Sequence, residues 1–284
     1  MKKRGISMIM SSLIKLSLAA AISGIAVGAT ARADQLDDIK ARGKLIVGIK
    51  NDYVPFGFLT KDDQLKGFEI DLAKFVAGAL VGSEGDIELV PVVASNRIEL
   101  LNAGRIDLIL ATLGKNAERA KVLDFTEEYY NMAGVVLMAP KETTISKWED
   151  VRGLKLCGMQ GNLYNRALTG TYGAQTVLFT GTADMFKAFQ DGRCAGLAFD
   201  GPILQQKLSD PEWGKKYKIA LDTFNYIPIA GGVRKNEPRF LEAVNKAILA
   251  AEAAGILVEA EKAYNMGETE YVAKRAADAK AAGY

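Results

Sequence analysis

Beyond residue 33 the chain alternates short apolar runs with stretches whose apolar positions recur at helical spacing. Residues 44–50 (KLIVGIK) read as a strand. Phe68, Leu72, Phe75, Val76, Ala79 and Leu80 then return every three to four residues, which predicts one helix face, and Gly82 marks its stop. A second strand is predicted over 87–93, and a short helix over 97–103 that Asn96 can cap and Gly104 ends. The run DLILA at 107–111 reads as a third, fully buried strand. This βαβαβ order predicts a parallel sheet covered on both faces. The order restarts past Pro140, with strands at 154–159, 176–179 and 195–199. Between them lie a helix after Gly161-Asn162 and a helix capped by Thr182 that bears Met185, Phe186 and Phe189. Extended runs at 135–138 and 226–233 join the halves, and the helical stretch 237–253 is too long for the small second half, so it is expected to return to the first. The expectation is an α/β protein of two lobes, each a mainly parallel sheet flanked by helices, with two chain crossings as a hinge and a cleft where strand carboxyl ends face each other. The boundaries fall at 34–134 for the first part of lobe 1, 135–228 for lobe 2, and 229–284 for the return to lobe 1 and the C-terminal helices.

Composition narrows the chemistry. The 284 residues include no histidine, which removes Ser-His-Asp and Cys-His catalysis. Two cysteines are too few for a disulfide scaffold or a conventional zinc site, so no metal or cofactor is expected. A binding role therefore leads over an enzymatic one. Lys2, Lys3 and Arg4 precede an apolar stretch that ends in Ala31-Arg32-Ala33, an A-x-A site, so residues 1–33 read as a cleaved secretion signal. That leader holds five basic residues and no acidic one, leaving 31 basic against 34 acidic residues in the mature chain, a net charge of −3. Nothing in that balance points to nucleic acid.

Three groups of motifs carry a resemblance. They are Leu45-Ile46-Val47-Gly48 with Tyr53-Val54-Pro55-Phe56 and Gly67-Phe68-Glu69-Ile70-Asp71-Leu72-Ala73; Asn96-Arg97-Ile98 with Gly104-Arg105-Ile106-Asp107; and Ala111-Thr112-Leu113 with Glu118-Arg119, Asp124-Phe125-Thr126 and Tyr129-Tyr130. In order and spacing, over residues 44–267, the chain resembles the polar amino-acid family of periplasmic solute-binding proteins, the receptors of ABC importers. The resemblance implies a type II two-lobed fold that closes on one amino acid in the periplasm, works as a monomer and delivers its ligand to a membrane permease.

It also implies roles for single residues. Arg119 stands where the family keeps the arginine that grips the ligand's α-carboxylate, a task suited to a planar guanidinium. Thr112 and Gly114 match positions that add a hydroxyl and a backbone N–H, and Asn162 and Leu163 lie in the loop that meets the carboxylate from the second lobe. Asp200, at the end of its predicted strand, matches the aspartate that binds the α-ammonium; by itself it could equally cap the next helix. Arg97 and Lys50 match cationic positions of acidic-amino-acid binders, which points to glutamate or aspartate, although Arg97 could simply project from a first helical turn. Tyr53 and Phe56 can stack over the ligand or pack a proline-containing turn. Cys157 and Cys194 match a cysteine pair of general amino-acid binders and are expected to be disulfide-bonded. The chain departs from the family in reading Gly114-Lys115-Asn116-Ala117 where relatives carry hydroxyls. A periplasmic enzyme on the same fold, similar to cyclohexadienyl dehydratase, is the alternative of a different class.

Overall fold

A computed structural model describes residues 34–284. The secretion signal assigned to residues 1–33 lies outside the described residues. The first lobe is built on a five-stranded sheet in the order Ile87–Pro91, Leu45–Ile49, Leu108–Leu110, Tyr226–Val233, Asp124–Ala133. Its first three strands are parallel, and Tyr226–Val233 runs antiparallel to both of its neighbours. The second lobe repeats the pattern with Gln175–Phe179, Lys155–Met159, Gly196–Asp200, Val135–Pro140, Tyr217–Leu221, where Val135–Pro140 is the antiparallel member. The protein is thus a two-lobed α/β binding-protein fold with two mainly parallel sheets.

The chain crosses between the sheets twice, and the crossings touch. The strand Asp124–Ala133 ends in the first sheet, and Val135–Pro140 begins at once in the second. The Gly134 N–H donates to the Asn225 carbonyl at 3.0 Å, just where the returning chain enters Tyr226–Val233. A Cβ at Gly134 would lie 2.6 Å from Asn225 Oδ1, so a side chain there would push the two crossings apart. The long helix Pro238–Ala253 packs against the helix Phe68–Val81 and the strand Asp124–Ala133, in the first lobe.

Local pattern and packing agree for the apolar runs: Leu45, Val47 and Ile49, on one face of their strand, have no exposed surface, and on the other face Gly48 is buried and Ile46 partly buried, as the apolar LIVGI run requires of a strand covered on both faces. The helix Phe68–Val81 buries more than one stripe. Glu69, Ile70 and Ala73 are buried beside the expected Phe68, Leu72, Val76 and Leu80, while Ala79 is exposed. The helix lies between other elements of the lobe, so its buried face is wider than periodicity alone implied. Two expected caps differ. Asn96 makes no capping bond to its helix; its side-chain oxygen accepts from the Val93 N–H behind it at 2.9 Å. Thr182 is the first residue of the helix Thr182–Gln190, and Gly181 holds the cap position. A small antiparallel ribbon of Asp52–Tyr53, Gly57–Leu59 and Leu65–Lys66 was not legible in the pattern because its strands are only two or three residues long. Cys157 and Cys194 are disulfide-bonded, tying the strand Lys155–Met159 to the segment that enters Gly196–Asp200. Among the described residues no helix is long and apolar enough to cross a membrane.

Candidate functional site

A small cavity lies where the two lobes meet, and charged side chains converge on it. Asp200 is the last residue of its strand, 4% exposed, and its carboxylate makes no bond to the helix Gly201–Leu208 that follows. The capping alternative is therefore set aside. Instead Tyr164 OH donates to Asp200 Oδ1 at 2.9 Å and Tyr53 OH donates to Oδ2. Burial raises the Asp200 pKa, and the two phenol hydrogen bonds and the charges of Lys50 and Arg97 pull against that rise. Asn162 Nδ2 donates to the Tyr164 oxygen, so a chain of polar groups runs from the second-lobe loop to the carboxylate.

Arg119 reaches across the cleft. It opens a 3-10 turn, Arg119–Lys121, where its backbone N–H donates to Asn116 Oδ1 at 2.8 Å. Its guanidinium donates to the carbonyl of Gly114 in its own lobe at 2.7 Å and to that of Gly161 in the other at 2.9 Å. Burial and the charge of Arg97 lower its pKa to about 9, so it is still protonated at neutral pH. The departure at residues 114–117 has a physical reason: a Cβ at Gly114 would sit 2.6 Å from Ile227 Cγ2 and 2.9 Å from Leu163 Cδ1. A side chain there would require the ends of Ile227 and Leu163 to shift, and Asn116 anchors the turn.

Arg97 is 2% exposed and lines the cavity, so it does not project into solvent. One of its amino groups donates to the Ala111 carbonyl, while its Nε is buried without a partner. Lys50 is 1% exposed and sits behind the cavity wall, its Nζ 5.1 Å from the centre of the Tyr53 ring. Burial, then the charge of Arg97, lowers the Lys50 pKa to about 8 against the pull of Asp52, Glu69 and Asp200. Thr112, Gly114, Asn162 and Leu163 line the cavity with Arg119 and Asp200; Lys50 and Tyr53 do not. Tyr53 is a second layer, its ring edge-on to Phe199 at 5.3 Å and its hydroxyl on Asp200. Phe56 has no exposed surface and packs edge-on against Phe68 and Tyr130, which places it in the core.

Two residues of the site escaped sequence reasoning. Tyr164 lies outside the motifs that carry the resemblance, and only the fold brings it to Asp200. Glu69 stands in the motif at residues 67–73 with no role assigned to it, yet it has no exposed surface. Its Oε1 accepts from the Thr112 N–H and from Tyr129 OH, each at 2.6 Å, and so braces Thr112 at a φ of 49°. Burial raises the Glu69 pKa, and these hydrogen bonds and the charge of Arg97 counter it. Arg97, Arg119 and the carboxyl group of Asp200 line the cavity, with Lys50 and the Glu69 carboxyl group behind them. Such a set can take up an ion carrying one ammonium and two carboxylates.

Comparison with known proteins gives an independent view. A sequence profile of the bacterial extracellular solute-binding proteins, family 3, matches residues 45–267. A glutamine-binding protein of Geobacillus stearothermophilus is 32% identical over 219 residues, 76% of this chain and 82% of the relative. A glutamate/aspartate import solute-binding protein of Salmonella typhimurium is 23% identical over 261 residues, 89% of this chain and 85% of the relative. The crystal structure of a cysteine-binding protein from Campylobacter jejuni superposes with a TM-score of 0.77 at 27% identity, covering 81% of this chain and 92% of that one.

Proposed function

The chain belongs to the bacterial extracellular solute-binding proteins, family 3, and on that footing we propose that it captures an acidic amino acid, glutamate or aspartate, between its lobes and hands it to the permease of an ABC importer. Its coarser role, binding an amino acid outside the cytoplasm for an ABC transporter, follows from the family. In this reading Arg119 takes the α-carboxylate together with Thr112, Gly114 and the loop at Asn162 and Leu163. Asp200 takes the α-ammonium, with Tyr53 and Tyr164 holding its two oxygens.

The observation that carries the acidic ligand is the cation left over. Once a zwitterionic backbone has satisfied Arg119 and Asp200, Arg97 is the cation still facing the cavity, its Nε buried without a partner, while Lys50 lies behind the wall between Asp52 and Glu69. An unmatched buried charge costs several kcal/mol, and a side-chain carboxylate supplies the match whereas an amide supplies only hydrogen-bond acceptors. Calorimetric competition of glutamate against glutamine, in the wild type and in Arg97→Gln, is the test. Glutamate is expected to win by at least about 1.5 kcal/mol, or tenfold, with a narrower gap in the variant. A wild-type preference for a neutral or basic amino acid ends this reading.

Glutamine is the second reading, favoured by the Geobacillus relative. A non-enzymatic role is supported by relatives that are themselves binding proteins. Aromatic product from prephenate or arogenate would overturn it in favour of the dehydratase alternative.

A further inference from the structure

The two-residue strand Asp52–Tyr53 belongs to the first lobe, yet both of its side chains bond to the second. Neighbouring residues of a strand point to opposite faces. Tyr53 accordingly turns to Asp200 at the cavity, and Asp52 turns to the start of the second-lobe helix Thr182–Gln190. There the Thr182 N–H donates to Asp52 Oδ2 at 3.0 Å. The Thr182 hydroxyl lies 2.8 Å from the Asp52 carbonyl oxygen and 3.1 Å from Oδ2, within donating distance of both.

That helix lacks a cap of its own. Its cap position is Gly181, and no side chain of the preceding residues bonds its first N–H groups. A helix start leaves its first N–H groups without partners inside the helix, and an acidic side chain is favoured there by the helix dipole. In most helices the preceding residue supplies that oxygen. Here the other lobe does.

We infer that Asp52 is a closure clasp, a positioning residue that stabilises the closed lobes by lending an N-cap across the cleft, without touching the ligand. The bond requires both lobes in contact, so its free energy enters the opening equilibrium. A ligand that binds only the closed form then gains the same factor in apparent affinity whatever its side chain. Discrimination stays with Arg97 and Lys50, whose charge Asp52 partly offsets, and the clasp bond sets the affinity scale. The inference rests on the binding role proposed above.

The test uses the mature chain as Asp52→Ala and Asp52→Asn. L-glutamate and L-glutamine are titrated calorimetrically, and interlobe distances are measured between spin labels at the exposed Ser83 and Thr169, one in each lobe. In Asp52→Ala glutamine is expected to lose about tenfold in affinity and glutamate less, because removing the Asp52 charge leaves Lys50 more in need of a ligand carboxylate. The ligand-free distance distribution should lengthen, and the melting temperature should stay within about 2 °C, because Asp52 is exposed and no lobe core is disturbed. Asp52→Asn should recover to within about threefold, since its side-chain oxygen accepts the same bonds. Unchanged affinity and distances in Asp52→Ala would overturn the clasp. So would a loss of glutamine affinity that asparagine leaves in place. If the wild type binds neither amino acid, the binding role fails, and the ligand-free distances still decide the clasp.

Discussion

Lys50 pays a folding cost for its place behind the cavity, and replacing it separates stability from ligand capture. The amine is 1% exposed, and its pKa falls from 10.5 to about 8, first through burial and then through the charge of Arg97. That drop corresponds to about 3 kcal/mol of preference for the neutral amine in the folded state. Between about pH 8 and 10.5 the unfolded chain holds a proton at Lys50 that the folded protein does not. Stability contributed by this group is therefore present above 10.5 and is lost as pH falls through about 8, so at pH 7 the full cost is carried. Lys50→Met, of similar length, is expected to raise the stability of the ligand-free protein at pH 7 by up to about 3 kcal/mol. Each kcal/mol gained is roughly 2–4 °C in melting temperature for a chain of this size. The advantage should shrink towards pH 10, and glutamate affinity should fall by tenfold or more while glutamine affinity changes less. Melting curves at pH 7, 8.5 and 10, with calorimetry at pH 7, test each arm. A variant no more stable than wild type at pH 7, or a gain undiminished at pH 10, would refute the argument that Lys50 is held as a buried cation.

Arg119→Ala removes the guanidinium that bonds to the carbonyls of Gly114 and Gly161 and is expected to weaken any amino acid by at least about 100-fold in a folded protein, as read by calorimetry. Gly161→Ala places a Cβ 2.8 Å from the Ala94 carbonyl at a φ of 86°, where the second lobe meets the first. The lobes should then stop short of closure, lowering affinity for all ligands and lengthening interlobe distances in scattering or spin-label measurements. Breaking the Cys157–Cys194 disulfide, which spans 37 residues, should cost about 4 kcal/mol, seen as a lower melting temperature after reduction. Near-wild-type melting under reductant would contradict it.

Much of the fold was readable because its signals are local. KLIVGIK and DLILA are apolar enough that both faces must be covered, and Gly82 and Gly104 end their helices in φ-positive conformations. The motifs around Arg97, Thr112 and Arg119 carried the resemblance, which in turn marked Asp200, and the structure brings all four to one cavity with Gly114, Asn162 and Leu163. What stayed hidden depends on partners far away in the chain. Thr182 looked like a cap from its own neighbourhood, yet its bonding partner is Asp52, 130 residues earlier. Glu69 appeared only as part of the motif at residues 67–73, and only the packing of Thr112 and Tyr129 against it makes it a buried acid beside the cavity. Periodicity and turn chemistry act over a few residues and are written in the local sequence. Desolvation, and a hydrogen bond between lobes, exist only after distant segments have met, so the charge of the cavity and the way it closes belong to the tertiary structure.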